Sequence, residues 1–226
     1  MKLKAITPIR VTDAELVRRQ ARYDELAPDG VEVHLVNLPD DPDVPRKLES
    51  AEDIAASDRL VAAEIVRTDP AQFDAVLPDC VLDPGVASTA DQAPVPVYGI
   101  LQLATGFLAA VGHRFGAMTR NEPIAEELRA CLRRYGLTDR LDEVAVLDLS
   151  FDDIEDHDTW NAAIDGVRDR FTTRSVQSVI NGCSAVAVRD HGSGAVVVDP
   201  TGLALQVIGM ASGGDLLPRT PAGVER

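Results

Sequence analysis

The sequence is poor in cysteine and in basic residues, and each shortage excludes a class of protein. Only 3 of its 226 residues are cysteine, and their spacing matches neither a metal-binding cluster nor a disulfide framework. Lysine and arginine together number 22 against 37 aspartates and glutamates, a formal net charge of −15. Such a charge repels phosphate backbones and anionic lipid surfaces. We therefore expect reduced thiols, no bound metal and no nucleic-acid partner.

Long apolar runs are also missing. No stretch approaches the roughly 20 apolar residues that a membrane-spanning helix needs. The opening residues, MKLKAITPIR, lack the apolar core of a secretion signal. These absences predict a cytoplasmic protein without a membrane partner.

Short strands alternate with helices along the chain, and hydrophobic residues, at 45% of the total, are numerous enough for a sizeable core. Strands are predicted over residues 3–8, 31–37, 75–80, 95–100, 116–119, 144–149, 176–181 and 195–199. Helices are predicted over residues 14–26, 50–67, 124–135 and 159–171. This alternation predicts an α/β fold with largely parallel sheets.

Two cysteines occupy matching places in the two halves of the sequence. Cys80 ends the apolar run FDAVLPDC and Cys183 ends VQSVINGC, and each is followed by a further predicted strand and a helix. We therefore predict two pseudo-symmetric lobes with the active site in the cleft between them, where the ends of parallel strands converge. Residues 1–100 with 200–226 are predicted to form one lobe, and residues 101–199 the other.

A matched pair of thiols on either side of a ligand suits proton transfer, because one thiolate can remove a proton while the other thiol returns one to the opposite face. Each cysteine precedes a segment predicted to begin a helix, whose free N–H groups would lower the thiol pKa and hold an enolate oxygen. The expected donors lie on residues 81–85, which include Val81 and Leu82, and on residues 184–186, which include Ser184 and Ala185. Cys131, within a predicted helix, is interpreted as a core residue.

Several motifs resemble the aspartate/glutamate/hydantoin racemase superfamily, and in particular its hydantoin racemase-like branch. They are KAITPI (residues 4–9), CVLDPG (80–85), PVYGI (96–100), HRFGAMT (113–119), INGCSAVA (180–187) and VVDPTGLAL (197–205). The resemblance implies racemases or isomerases that need no cofactor, with Cys80 and Cys183 as the acid and base, and an oligomeric assembly. It also places Pro8, Ile9, Arg10, Thr119 and Arg120 beside the substrate.

The chain departs from the hydantoin racemase pattern at three places. Residues 7–10 read TPIR rather than NPNT, and Arg120 follows Thr119 where a second threonine is common. The stretch from Cys183 to Asp199 is shorter than usual, with RDHGSG at residues 189–194 in place of a full helix and loop. These departures leave three functions open. The leading prediction is a racemase or epimerase acting on a small molecule such as a hydantoin, allantoin or an amino-acid derivative.

The two rivals differ in what they require of the arginines and the thiols. A cis–trans isomerase or C–C lyase, including a decarboxylase, acting on a dicarboxylate is favoured if Arg10 and Arg120 both face the cleft, because guanidinium groups bind carboxylates. A catalytically inactive binding protein of the same fold is favoured by unreactive thiols. Asp79 and Asp83 are assigned no catalytic role, and the acidic segment 152–158 is interpreted as a solvated surface or the start of a helix.

Overall fold

Strands and helices alternate along the fold. They are seen in a computed structural model, which describes residues 1–151, 153, 157–189 and 194–214. The strands are β1 (Lys2–Ile6), β2 (Glu32–Val36), β3 (Ala75–Pro78), β4 (Phe115–Thr119), β5 (Leu141–Val146), β6 (Ser178–Asn181) and β7 (Val196–Val198). The helices are α1 (Asp13–Leu26), α2 (Ala51–Val66), α3 (Ile100–Ala110), α4 (Glu122–Arg134), α5 (His157–Thr173) and α6 (Pro200–Gly213).

Two parallel sheets form the framework. In the first sheet β1 lies between β2 and β3, and in the second β4 lies between β5 and β6, with β7 beyond β6. Every strand pair is parallel. Three strands that alternate with helices build each half, from β1 to α3 and again from β4 to α6, and the second half adds β7 before α6. The predicted α/β class with two lobes and largely parallel sheets is confirmed.

The predicted strand at residues 95–100 is reduced to a single bridge, between Val76 and Val97. The main-chain N–H of Tyr98 donates to the Val76 carbonyl, and that of Val76 donates to the Pro96 carbonyl. Proline has no N–H to contribute to a ladder, and Pro94 and Pro96 fall within or next to this segment. The bridge therefore occupies the place that β7 fills in the second sheet.

Helix α6 packs against α3 and brings the end of the described chain back to the first sheet. Leu205 and Ile208 join the cluster that contains Leu3 and Leu77. Helix α3 contributes to both halves, since its Leu101 and Leu108 belong to the cluster built around Phe115 and α4. The lobe limits at residues 100 and 200 therefore stay a prediction, and residues 215–226 lie outside the described residues.

Local capping explains where the helices begin. The side chains of Thr12, Ser50, Asn121 and Asp199 each accept a hydrogen bond from a main-chain N–H of the helix that follows. The N-cap residue of helix α3 is Gly99, which has no side chain, so the cap comes instead from a distant residue. The Asp83 carboxylate accepts the N–H groups of Leu101 and Gln102, both at 2.9 Å. A Cβ at Gly99 would collide with that carboxylate.

Candidate active site

Both cysteines follow a strand that lies next to the centre of its sheet. β3 ends at Pro78 and β6 at Asn181, so Cys80 and Cys183 each lie two residues beyond a strand end. β3 pairs with the central strand β1, and β6 pairs with the central strand β4. The two thiols therefore occupy equivalent positions in the two halves.

The segments after the cysteines are turns, and the expectation of helix N-termini there is wrong. Asp83 has φ of 50° and Gly85 has φ of 77°, and these left-handed conformations prevent a right-handed helix from forming. After Cys183 the chain turns through residues 184–186. A main-chain donor does reach each thiol: the Leu82 nitrogen lies 3.4 Å from Cys80 Sγ, and the Ala185 main chain donates to Cys183.

Burial raises the pKa of both thiols, contrary to the lowering expected from helix N-termini. Desolvation raises the pKa of Cys80 to about 12, and the carboxylates of Asp79 and Asp83 act in the same direction. Desolvation also raises the pKa of Cys183, against a hydrogen bond from the Ala185 main chain. Both thiols are therefore mainly protonated at neutral pH.

The two cysteines line one small cavity of about 70 Å³. Of the site residues expected from the sequence, the lining includes Pro8, Ile9, Cys80, Val81, Leu82, Arg120, Cys183, Ser184 and Ala185. The lining also contains residues that sequence reasoning did not place there, namely Arg19, Leu48, Asp79, Ile124, Phe151 and Gly182. The structure thus brings both thiols and several polar groups to one site.

Two expected site residues make contacts elsewhere. Arg10 donates from Nη1 to the Leu38 carbonyl at 3.0 Å and lines a neighbouring pocket. The Thr119 hydroxyl donates to the Asn121 carbonyl at 3.3 Å, and its side chain is fully buried. Arg10 and Thr119 therefore lie outside the cavity lining.

Asp79, which precedes Cys80, is held by two residues of helix α1. Its Oδ2 accepts a hydrogen bond from Arg19 Nη1 at 3.0 Å, and its Oδ1 accepts one from the Tyr23 hydroxyl at 2.8 Å. Arg19 also donates from Nε to Glu15 Oε1 at 2.7 Å. These two carboxylates hold the pKa of the Arg19 guanidinium above its usual value. The network fixes the main chain next to the first thiol.

Arg120 brings a second buried guanidinium to the cavity. Its Nη1 contacts both carboxylate oxygens of Glu49, at 2.9 and 3.0 Å, and its Nη2 donates to the Leu48 carbonyl at 2.7 Å. The guanidinium also lies 5.7 Å from the centre of the Phe151 ring. Its buried Nε has no hydrogen-bond partner among the described residues. A buried donor without a partner in a cavity lining is suited to a ligand oxygen.

Glycine is required at position 182 because the ends of β4 and β6 approach each other closely there. Its N–H donates to the Met118 carbonyl at 2.7 Å, and a Cβ at this position would overlap that carbonyl oxygen and approach Thr119 Cγ2 to 2.8 Å. The absence of a side chain therefore lets the turn that carries Cys183 lie against the end of β4.

Two larger pockets adjoin the cavity. One, of about 460 Å³, shares Ile9, Arg19 and Phe151 with it. The other, of about 650 Å³, shares Leu48, Cys80 and Leu82 with it. Phe151 and Leu48 therefore stand at the two boundaries between the cavity and the outside.

Across the described ranges, no helix is both long and apolar enough to cross a bilayer. The same ranges contain no group of three or more His, Cys, Asp or Glu side chains arranged to hold a metal ion. Parts of two sequence features, the acidic segment 152–158 and the short segment 189–194, lie outside these ranges.

Comparison with known proteins identifies the family and the fold. The chain matches the family model described as Asp/Glu/Hydantoin racemase over residues 14–208. No curated protein matches it by sequence.

Among solved structures, an allantoin racemase from Klebsiella pneumoniae is 21% identical with a TM-score of 0.75, covering 96% of this chain and 89% of that one. An allantoin racemase from Pseudomonas fluorescens is 17% identical with a TM-score of 0.81 and full coverage of both chains. The aspartate racemase of Picrophilus torridus is 14% identical with a TM-score of 0.60, covering 93% of this chain and 94% of that one.

Proposed function

Because the chain belongs to the Asp/Glu/hydantoin racemase family, we propose that it is a racemase or epimerase acting at a carbon next to a carbonyl. Cys80 and Cys183 serve as its acid and base. The observation that carries this proposal is that both thiols line a single cavity, each two residues beyond an equivalent strand. One thiolate takes the proton from the substrate carbon and leaves an enolate. The other thiol gives its proton to the opposite face and becomes the thiolate. No cofactor enters this step.

The enolate oxygen needs a donor that is in place before charge develops on it. We assign this role to the Nε–H of Arg120, because Arg120 lines the cavity and its buried Nε has no hydrogen-bond partner among the described residues. The family resemblance places Thr119 beside the substrate, but its hydroxyl donates to the Asn121 carbonyl. We therefore assign oxyanion stabilisation to Arg120.

The charges around the cavity favour an uncharged substrate. Arg19 is bonded to Glu15 and Asp79, and Arg120 is bonded to Glu49 on both of its carboxylate oxygens. A dicarboxylate would require free guanidinium groups, and Arg10, which the rival isomerase or lyase needs in the cleft, donates to Leu38 instead. A neutral cyclic ureide such as a hydantoin or allantoin fits this balance of charge. The allantoin racemases that share the fold agree with that choice.

The cavity must enlarge before a substrate can occupy it. Its volume of about 70 Å³ is well below the 300 Å³ or more of typical ligand sites. Ile9, Arg19 and Phe151 line both the cavity and the pocket of about 460 Å³ beside it. We infer that the substrate arrives from this pocket and displaces the ring of Phe151.

Proton NMR in D₂O tests the proposed function. Hydantoins with one 5-substituent, allantoin, amino acids and dicarboxylates are incubated with the protein, and loss of the signal from the reacting C–H is followed. The variant with both Cys80→Ser and Cys183→Ser is the control. We expect exchange of a neutral ureide with the wild-type protein and none with the control. Conversion of dicarboxylates alone would favour the isomerase or lyase, and silence across the whole panel would favour a binding protein.

A further inference from the structure

Helix α1 contacts both cysteine turns through neighbouring residues. Arg18 Nη2 donates to the Ala185 carbonyl at 2.9 Å, and Arg22 Nε donates to the Ser184 carbonyl at 3.3 Å. Arg19, between them, donates to Asp79 beside Cys80. The Ser184 hydroxyl donates to the Asp79 carbonyl at 3.1 Å, which joins the two turns directly. One helix therefore sets the position and the electrostatic surroundings of both thiols.

The charged groups that face the two thiols differ. Cys80 lies between the buried carboxylates of Asp79 and Asp83 in its own turn. Cys183 shares the cavity lining with Arg19 from α1 and Arg120 from the end of β4, which both favour its ionised form, while Asp79 opposes it. Arg18 of the same helix also interacts with Cys183. Negative charge is therefore less disfavoured on Cys183 than on Cys80.

We propose that Arg19 is a positioning residue that makes Cys183 the first thiol to ionise and keeps the proton on Cys80. Its part in catalysis rests on the proposed function. The reactive form of the enzyme would hold one proton on Cys80 Sγ and none on Cys183 Sγ. In the first half of a turnover Cys183 accepts the substrate proton and Cys80 donates its own. The enzyme is then left with the opposite distribution, and exchange with solvent returns it to the reactive form.

The contacts of Arg19 fit this role. The guanidinium is buried and stays charged, because Glu15 and Asp79 hold it on two sides. It lines the cavity together with Cys183. After burial and the Ala185 main-chain bond, Arg19 is the largest influence on the pKa of Cys183, and it lowers that pKa. Such a charge near a thiol shifts its ionisation by about one pH unit or more.

Thiol ionisation can be measured without a substrate. Two proteins with one site thiol each, Cys80→Ser/Cys131→Ala and Cys183→Ser/Cys131→Ala, are alkylated with iodoacetamide over a range of pH, and ultraviolet absorbance of the thiolate is followed in parallel. We expect Cys183 to ionise at a pH lower than Cys80 by about one unit or more. The reverse order would overturn the proposal.

Variants of α1 identify Arg19 as the cause. Arg19→Gln should raise the ionisation midpoint of Cys183 by about one unit, and Arg19→Lys should largely preserve it. Arg22→Gln is the matched control, because Arg22 holds the same turn through Ser184 but is not part of the cavity lining. Arg19→Gln combined with Asp79→Asn leaves no unpaired buried charge, and it should reduce the difference between the ionisation midpoints of Cys80 and Cys183. An unchanged difference in this double variant would refute the role of Arg19. If the wild-type protein showed the expected difference but exchanged no substrate of the NMR panel, only the proposed function would be rejected.

Discussion

Replacing Gly182 with alanine tests how tightly the second cysteine turn is held. The new Cβ would overlap the Met118 carbonyl oxygen and press on Thr119 Cγ2, so the two strand ends must separate. Overpacking of this kind costs about 1–3 kcal/mol, and weakening the 2.7 Å bond from Gly182 N–H to Met118 adds about 1 kcal/mol. We expect the free energy of unfolding to fall by about 2–4 kcal/mol. A displacement of Cys183 by roughly 1 Å would also lower the rate about 100-fold.

Urea unfolding and the NMR exchange assay measure these two effects. Gly106→Ala is the matched control, because nothing lies within 4 Å of its Cβ in the middle of α3. It should leave exchange unchanged and stabilise the protein by about 0.5–1 kcal/mol. If Gly182→Ala unfolded at the same urea concentration as the wild-type protein and kept its activity, the close approach of β4 and this turn would not be needed.

Three further predictions follow from the site. The value of kcat/KM should rise with pH through the alkaline range, because the reaction needs one thiolate and burial raises the pKa of both thiols. The steepest rise expected is about tenfold per pH unit. A kcat/KM that falls between pH 7 and 9 would contradict this prediction. Arg120→Lys keeps a charge for Glu49 but removes the Nε donor, so kcat should fall about 100-fold with little change in the unfolding midpoint, and an unchanged kcat would exclude the oxyanion role. Cys131→Ala removes a buried thiol whose Sγ contacts the Leu82 carbonyl at 3.2 Å. This change should cost about 1–2 kcal/mol of stability and leave exchange intact, and loss of exchange would show that its contact with Leu82 matters for the site.

Much of the fold was predictable because it depends on local patterns. The α/β class, the two parallel sheets and the superfamily were predicted and are confirmed. Apolar runs ending at Cys80 and Cys183 predicted strands that do end just before them. The pattern failed where proline removed the donors that a strand needs, at residues 95–100, and where Asp83 and Gly85 adopt left-handed conformations after the first cysteine. Neither feature changes the hydrophobic period, which is the main signal in a sequence.

The electrostatic environment of the site was not predictable in the same way. The spacing of Glu15 and Arg19 places both on one face of a helix, but nothing in the sequence says that this face meets Asp79, 60 residues later. The lack of a hydrogen-bond partner for Arg120 Nε likewise depends on the positions of Leu48 and Glu49, which bind the rest of the guanidinium. Both residues lie in the loop after β2. Contacts between distant segments decide these features, so they required the three-dimensional structure.

The most direct measurement of the two-thiol account is exchange in D₂O with each single-cysteine variant and each pure enantiomer of a substrate. With Cys80→Ser, Cys183 remains as the base on one face, so one enantiomer should take up deuterium and keep its configuration. With Cys183→Ser, the other enantiomer should do so, and neither variant should racemise. Racemisation by either single variant, or exchange of the same enantiomer by both, would contradict the assignment of Cys80 and Cys183 to opposite faces.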